Sequence, residues 1–113
     1  MRSVKIDINT SQDLSLGALS YTATLTKACK LDQILIHSSV AITETITVTL
    51  DNAAGANYDT QLFSMDLSAE SNFVWRPSGE MNLQAGDKLL IACTNANATG
   101  VVYATAKLSE LGA

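Results

Sequence analysis

The chain has few of the residue types from which catalytic and metal sites are built. Its 113 residues include only two cysteines and one histidine. Cys29 and Cys93 stand far apart in the sequence and lack the close pairing of a metal site. Since buried cysteine behaves as a small hydrophobe and cytosolic thiols stay reduced, we expect two buried free thiols in preference to a disulfide. Any catalytic triad would need His37, and no nucleophile signature surrounds that residue, so we expect an ordinary strand histidine.

Charged residues are also scarce. They make up 16% of the chain, against about 25% in typical soluble domains. With 7 basic and 11 acidic residues the net charge is -4, so binding to a nucleic acid backbone lacks its electrostatic driving force. No apolar run approaches the length of a membrane span, and charges interrupt the apolar residues near the N-terminus. We therefore expect no nucleic acid partner, no membrane association and a protein kept soluble in a cytoplasm.

Sustained helical spacing of apolar residues is missing, whereas a two-residue alternation recurs from end to end. In the segment 44–50, residues such as Ile46 and Val48 alternate with threonines, which predicts a strand with one buried face. The only helical turns expected are near 11–16 and 67–71. Alternation and short apolar runs predict about eight strands: 3–9, 19–25, 31–38, 44–50, 60–67, 72–76, 88–94 and 101–109.

The predicted fold class is all-β, with a single domain over 1–113 built as a two-sheet antiparallel β-sandwich. The segments 31–38 and 88–94 carry apolar residues on both faces and are expected to be central strands covered on both sides. The uneven loop lengths favour a jelly roll over an up-and-down meander. An immunoglobulin-like sandwich is the alternative topology, although Trp75 lies too far beyond Cys29 for the spacing of a true immunoglobulin domain.

The acidic residues are scattered, and no spacing among them selects the pair that glycoside hydrolysis needs. Asp51 and Asp59 flank the Gly55 loop and are the best candidates for calcium ligands. They lack the alternating ladder of an EF-hand, so solvated turn residues are the preferred interpretation. We expect no catalytic residue, no metal ligand and no cofactor, and hence a protein that is not an enzyme.

The few aromatic residues suggest a second type of site. Trp75 together with Tyr103 or Tyr58 could form the exposed stacking platform of a carbohydrate-binding module. The simpler interpretation places Trp75 in the core as its largest side chain. Tyr103 alternates with Val102 and Ala104, which indicates that it points outward.

Two adjoining segments carry a resemblance to a known family. The segment 73–77, Phe-Val-Trp-Arg-Pro, is followed by 81–91, Met-Asn-Leu-Gln-Ala-Gly-Asp-Lys-Leu-Leu-Ile. They are similar to the strand, Gly-Asp turn and strand of viral β-sandwiches. With the all-β pattern, the low charge and the surface rich in threonine, alanine and asparagine, the chain resembles the small jelly-roll decoration or cement proteins of tailed-phage heads.

The resemblance implies a non-enzymatic structural protein of the virion, assembled in the host cytoplasm. Such a protein docks as a homodimer or homotrimer on the assembled capsid and braces contacts between subunits of the major capsid protein. The contact is expected from the N-terminal segment 1–9, including Val4 and Ile6, or from an outer sheet face. The outer-face candidates are Thr45, Thr47 and Thr49.

Two rival functions follow from the other candidate residues. A carbohydrate-binding sandwich, or the head of a fibre or spike, would use Trp75 and Tyr103. An enzyme would have to use His37. A threonine array that binds ice would need its motif repeated in register over several strands, and Thr-x-Thr-x-Thr occurs as one row at 45–49.

Overall fold

A computed structural model describes residues 4–110, most of which lie in strands. Within this range the strands are β1 (Lys5–Asp13), β2 (Leu19–Thr24), β3 (Cys29–Ile42), β4 (Thr45–Asp51), β5 (Thr60–Asp66), β6 (Glu70–Trp75), β7 (Asn82–Leu83), β8 (Lys88–Cys93) and β9 (Val101–Glu110). A turn of 3-10 helix spans Ala56–Tyr58. Among the described residues, no helix has the length and apolar character needed to cross a membrane.

The strands form two antiparallel sheets packed into a sandwich. The first sheet has the order β1-β9-β3-β6, with β7 pairing beside β3, and the second has the order β2-β8-β4-β5. The pairs are nested, because β4 pairs with β5, β3 with β6, β2 with β8 and β1 with β9. This is one long antiparallel hairpin rolled up so that β3 also meets β9 and β4 also meets β8. The predicted all-β sandwich is confirmed, and the nested order is that of a jelly roll.

The two-residue alternation decides which side chains enter the core. In β4, Ile46 and Val48 are fully buried, whereas Thr45 and Thr47 are half-buried on the outer face. Burying each large apolar side chain contributes about 1.5–3 kcal/mol, so a core of this size can hold the sheets together. The largest fully buried side chains come from both sheets and include Leu14, Leu31, Ile34, Ile42, Ile46, Leu83, Leu89, Ile91 and Leu108.

Several local predictions need correction. The helical turns expected near 11–16 and 67–71 are wrong: β1 runs through Asp13, and Ala69 has a positive φ in a tight turn before β6. The segments 31–38 and 88–94 do lie in interior strands, but β4 and β9 are interior too. Their outer faces are also not covered, because each sheet has only one face in the core and the other is open.

The two sides of the sandwich are closed differently. Where β5 and β6 are the edge strands, Phe63 stacks on Trp75 with ring centroids 4.8 Å apart, and it also contacts Phe73 at 5.7 Å. On the opposite side, where β1 and β2 are the edge strands, the half-buried Ile6 and Ile8 cover the core incompletely. One side is therefore sealed by aromatic rings and the other remains open.

Candidate functional site

The outer face of the second sheet carries short uncharged side chains across all four of its strands. The strand register aligns them in two rows, each crossing the sheet from β2 through β8 and β4 to β5. We call this surface the threonine face. Its members are Ser20, Ala92, Thr47 and Ser64 in one row and Thr22, Leu90, Thr49 and Gln61 in the other.

Hydrogen bonds within the sheet hold some of the side chains on and beside the threonine face. The hydroxyls of Thr47 and Ser64 lie 3.2 Å apart on neighbouring strands. At one end of the face, Thr45 donates a hydrogen bond of 2.7 Å to Asp66. The charged residues of this outer face lie outside the two rows, with Asp51 and Lys88 beyond one row and Asp66 beyond the other. Another protein could therefore cover the two rows without removing a charge from water. Leu90 adds an apolar contact near the middle.

The outer face of the first sheet has a different character. At one end it carries ion pairs: Lys107 lies 3.1 Å from Asp7, and Asp32 lies 3.7 Å from both Lys5 and Lys30. These pairs are at least partly exposed and are worth about 0–1 kcal/mol each. Covering this end would require a partner with matching charges, so the first sheet is the less suitable docking face.

The other end of that outer face carries the only histidine of the chain. His37 is exposed, its Nδ1 lies 2.8 Å from Oδ1 of Asn72, and its ring stacks on Tyr103 with centroids 6.1 Å apart. Tyr103 is 46% exposed. This pair is an outward-facing aromatic surface, and the ring of His37 is held by a neutral amide.

Trp75 and Tyr103 lie on opposite faces of the first sheet. Trp75 is half-buried, packs against the core and stacks on Phe63, whereas Tyr103 points away from the core. The two rings cannot stack on one sugar ring, so the predicted platform of Trp75 and Tyr103 does not form. Tyr58 is 63% exposed in the 3-10 turn.

The predicted interface residues fall on two separate surfaces. Val4 is 39% exposed just before β1, and Ile6 is half-buried with its side chain packed against the core. Both belong to one edge of the first sheet, whereas Thr47 and its neighbours lie on the outer face of the second sheet. The part of the predicted N-terminal contact at 1–3 lies outside the described residues.

Both cysteines are buried, unpaired thiols, one in each sheet. Burial raises the pKa of Cys93 to about 11, and the negative charge of Glu44 adds to the effect. Burial and the nearby Glu110 raise the pKa of Cys29 as well. Because the thiolate is the nucleophile, these environments disfavour thiol chemistry.

The candidate calcium ligands have structural partners. Oδ1 of Asp59 accepts a hydrogen bond of 2.9 Å from the backbone N–H of Asn52, which closes the loop after β4. Asp51 ends β4 and pairs across the strands with Lys88. Within residues 4–110, no group of three or more histidine, cysteine, aspartate or glutamate side chains is arranged to hold a metal ion.

Two buried carboxylates hold the loops together, and the sequence did not single them out. Glu44 is 4% exposed. Its Oε1 accepts hydrogen bonds from the hydroxyl of Thr94 at 2.7 Å and from the N–H of Ala96 at 2.9 Å. Its Oε2 accepts from the N–H of Asn97 at 2.8 Å. Burial acts to raise the pKa of Glu44, but these hydrogen bonds outweigh it, and the pKa lies below its ordinary value.

Asp87 has the same role at the opposite turn. It is 3% exposed, and its two oxygens accept hydrogen bonds of 2.9 Å from the N–H groups of Ala53 and Gln84. Its position after Gly86 in a turn was the one available signal, since a short acidic residue in a turn often bonds to nearby backbone. Both carboxylates are therefore buried and engaged by backbone N–H groups of the loops.

An apolar cleft lies on the open side of the sandwich. It has a volume of about 390 Å³ and is lined by residues of β1, β9 and the β2–β3 loop, among them Ile6, Ile8, Leu25 and Leu108. Lys27 and Glu110 form an ion pair of 3.5 Å at its rim.

Fold and surface together define the class as an all-β jelly-roll sandwich. One outer face has two uncharged rows at its centre, and the other carries ion pairs at one end. The chain matches no protein-family model and no curated protein sequence.

Proposed function

We propose that the protein is a non-enzymatic structural protein that docks as an oligomer on an assembled viral capsid and stabilises it. In this role it would act as the decoration or cement proteins of tailed-phage heads do. The observation that carries the proposal is the threonine face, whose two uncharged rows cross all four strands of the second sheet. The partners would be a second copy of the chain and the major capsid protein.

The size of the threonine face explains why an oligomer is part of the proposal. Strands lie about 4.8 Å apart, so the two rows and their margins cover about 300 Å². A stable interface buries about 800 Å² on each partner, so one copy of this face would bind weakly. Several weak contacts on a symmetric lattice gain affinity through effective concentration, which is how a small rigid domain can bind a shell tightly.

The rigidity of the domain supports the same role. Glu44 and Asp87 fasten the loops at different ends of the sandwich through hydrogen bonds to backbone N–H groups. A preorganised surface loses little conformational entropy on docking, so more of the contact energy remains as binding energy.

The proposal is tested by placing a charge in the centre of the threonine face. Thr47→Arg should abolish co-sedimentation with assembled shells of the major capsid protein, because the guanidinium would have to be desolvated without a partner. Thr105→Arg is the matched control, since Thr105 is also a half-buried threonine on the outer face of an interior strand, but in the first sheet. The control should bind as the wild type does.

Two results would contradict this function. One is a wild-type protein that fails to sediment with shells at every ionic strength tested. The other is a folded Thr47→Arg variant that binds as well as the Thr105→Arg control.

The exposed aromatic pair supports a second candidate, a carbohydrate-binding module or the head of a fibre or spike. Tyr103 stacked on His37 offers an outward ring face, which is the geometry that sugar rings bind. Binding on a glycan array that disappears in Tyr103→Ala and persists in Tyr58→Ala would favour this candidate over capsid docking.

A further inference from the structure

The edge strand β1 has the features of a strand that pairs with another chain. It is longer than any other edge strand in the described range, with nine residues. Its pairing with β9 runs from Lys5 to Asp13 without a register shift, whereas the pairings of β5 and β6 are interrupted by shifts. Bulges and short strands are the usual protection of an edge against pairing, and β1 has neither.

The backbone of β1 presents a regular set of unpaired groups at this edge. The carbonyl of Val4 accepts from the N–H of Glu110, and the N–H of Leu14 donates to the carbonyl of Gly100. In an antiparallel pair, the residues that bond to the neighbouring strand alternate with residues whose N–H and C=O point the other way. The even-numbered residues of β1 therefore bond to β9, and the odd-numbered residues direct their N–H and C=O groups away from it.

We propose that β1 pairs antiparallel with β1 of a second copy about a two-fold axis at Asn9. This register sets odd residues opposite odd residues, as the backbone requires, and it engages all nine residues. Lys5 then lies opposite Asp13 of the second copy, and Asp7 lies opposite Ser11. The charge pattern of the strand is thus complementary to itself when reversed.

Neighbouring registers are less favourable. A two-fold axis at Asp7 sets that carboxylate opposite its own copy, and an axis at Thr10 sets Asp7 opposite Asp13. An axis at Ile8 is free of repulsion but leaves the last residues of the strand unpaired and loses the opposite-charge pair. Of these registers, the one with its axis at Asn9 pairs all nine residues of β1 and also sets Lys5 opposite Asp13 of the second copy.

The apolar side of β1 supports the same contact. Ile6 and Ile8 are half-buried and line the open cleft of about 390 Å³ between β1 and the β2–β3 loop. A second copy across this edge would cover the cleft from outside and join the first sheets into one continuous sheet with five strands from each copy. The inference rests on the self-association in the proposed function and names the surface that provides it.

Cysteine cross-linking tests the register. Asn9→Cys would place two thiols on a hydrogen-bonded pair with Cα atoms about 5.5 Å apart, which is within disulfide range. Ser11→Cys is the matched control, because Ser11 is also exposed with odd parity, but its copy lies four residues, or about 14 Å, away along the strand. Under mild oxidation Asn9→Cys should form a disulfide-linked dimer on non-reducing gels, whereas Ser11→Cys should dimerise without a disulfide link and run as a single chain under the same denaturing conditions. The native cysteines are buried and should not interfere.

The mass in solution provides the second measurement. The wild type should have twice the 12.0 kDa mass of the chain, and Asn9→Pro should have the mass of one chain. Proline removes an N–H that points away from β9, so it blocks the dimer and leaves the β9 ladder intact. If circular dichroism shows that Asn9→Pro does not fold, the cross-linking pair decides the question.

The inference is overturned by a wild type that is monomeric at every concentration, by an Asn9→Pro dimer, or by equal cross-linking of the two cysteine variants. A monomer that still binds shells through the threonine face would contradict this inference and leave docking in place. If Asn9→Cys forms the disulfide-linked dimer but this dimer does not bind capsid shells, the result would contradict the proposed docking and not the proposed dimer.

Discussion

Replacing the carboxylate of Glu44 by an amide tests whether this buried charge holds the loop between β8 and β9. In Glu44→Gln the side-chain oxygen can still accept from Thr94 and Ala96, but the amide nitrogen then faces the N–H of Asn97. Two donors meet, and one of them stays buried without an acceptor. A buried unpaired group costs about 1–3 kcal/mol, so we expect the free energy of unfolding to fall by about 2 kcal/mol near neutral pH.

The pH dependence of this difference is the sharper part of the prediction. The native pKa of Glu44 lies below its ordinary value of 4.5, so the native state favours the charged form. The stabilisation is therefore complete above the unfolded-state pKa and is lost as the pH falls through the native pKa. Glutamine does not titrate, so the wild type should lose its advantage over Glu44→Gln in that range.

The assay is urea unfolding of both proteins at several pH values from about 7 down to about 3, with circular dichroism as the signal that monitors unfolding. The exposed Glu80 provides a control with the same chemical change, and Glu80→Gln should match the wild type within about 0.5 kcal/mol. A Glu44→Gln variant as stable as this control near neutral pH would refute the reasoning. A deficit that stays constant down to low pH would refute it as well, because the carboxylate would then not be the cause.

Two further predictions concern the backbone and the thiols. Gly100 has φ +84°, and an added Cβ would lie 2.8 Å from a methyl carbon of Val40. Gly100→Ala should therefore lower the free energy of unfolding by about 2 kcal/mol, as measured by urea titration. An unchanged unfolding midpoint would contradict this prediction. Cys29 and Cys93 should react with a thiol reagent near pH 8 only after unfolding, because burial raises both pKa values. Labelling of the native protein as fast as of the urea-unfolded chain would show that these thiols are accessible.

The sequence alone predicted eight of the nine strands in the described range and the direction in which their side chains point; the two-residue strand β7 was missed. The alternation in β4 separates Ile46 and Val48 from the threonines, and the structure keeps that division. The same parity indicated that Tyr103 points outward, and Tyr103 is 46% exposed. These properties follow from the two-residue geometry of an extended chain, which is local and can be read from consecutive residues.

Pairing between distant strands was decided by the tertiary structure. The threonine face exists because β8 lies between β2 and β4, which sets Leu90 between Thr22 and Thr49. The sequence showed the threonines that alternate along β4. The other residues of the threonine face join them only through the register between strands that are distant in the sequence. The burial of Glu44 likewise depends on the loop after Cys93 folding over it, and no local pattern carries that information.

The same division explains the edge strand. Alternation could place Ile6 on the inner face. Only the pairing of β1 with β9 shows that β1 ends a sheet and that its odd-numbered residues keep unpaired backbone groups. Side-chain parity is a property of each strand, whereas edges, rows and faces are properties of the assembled sheets. The strands that form these surfaces are distant in the sequence, and bringing them together requires the closure of long loops. The surfaces proposed for docking and for self-association therefore exist only in the complete sandwich.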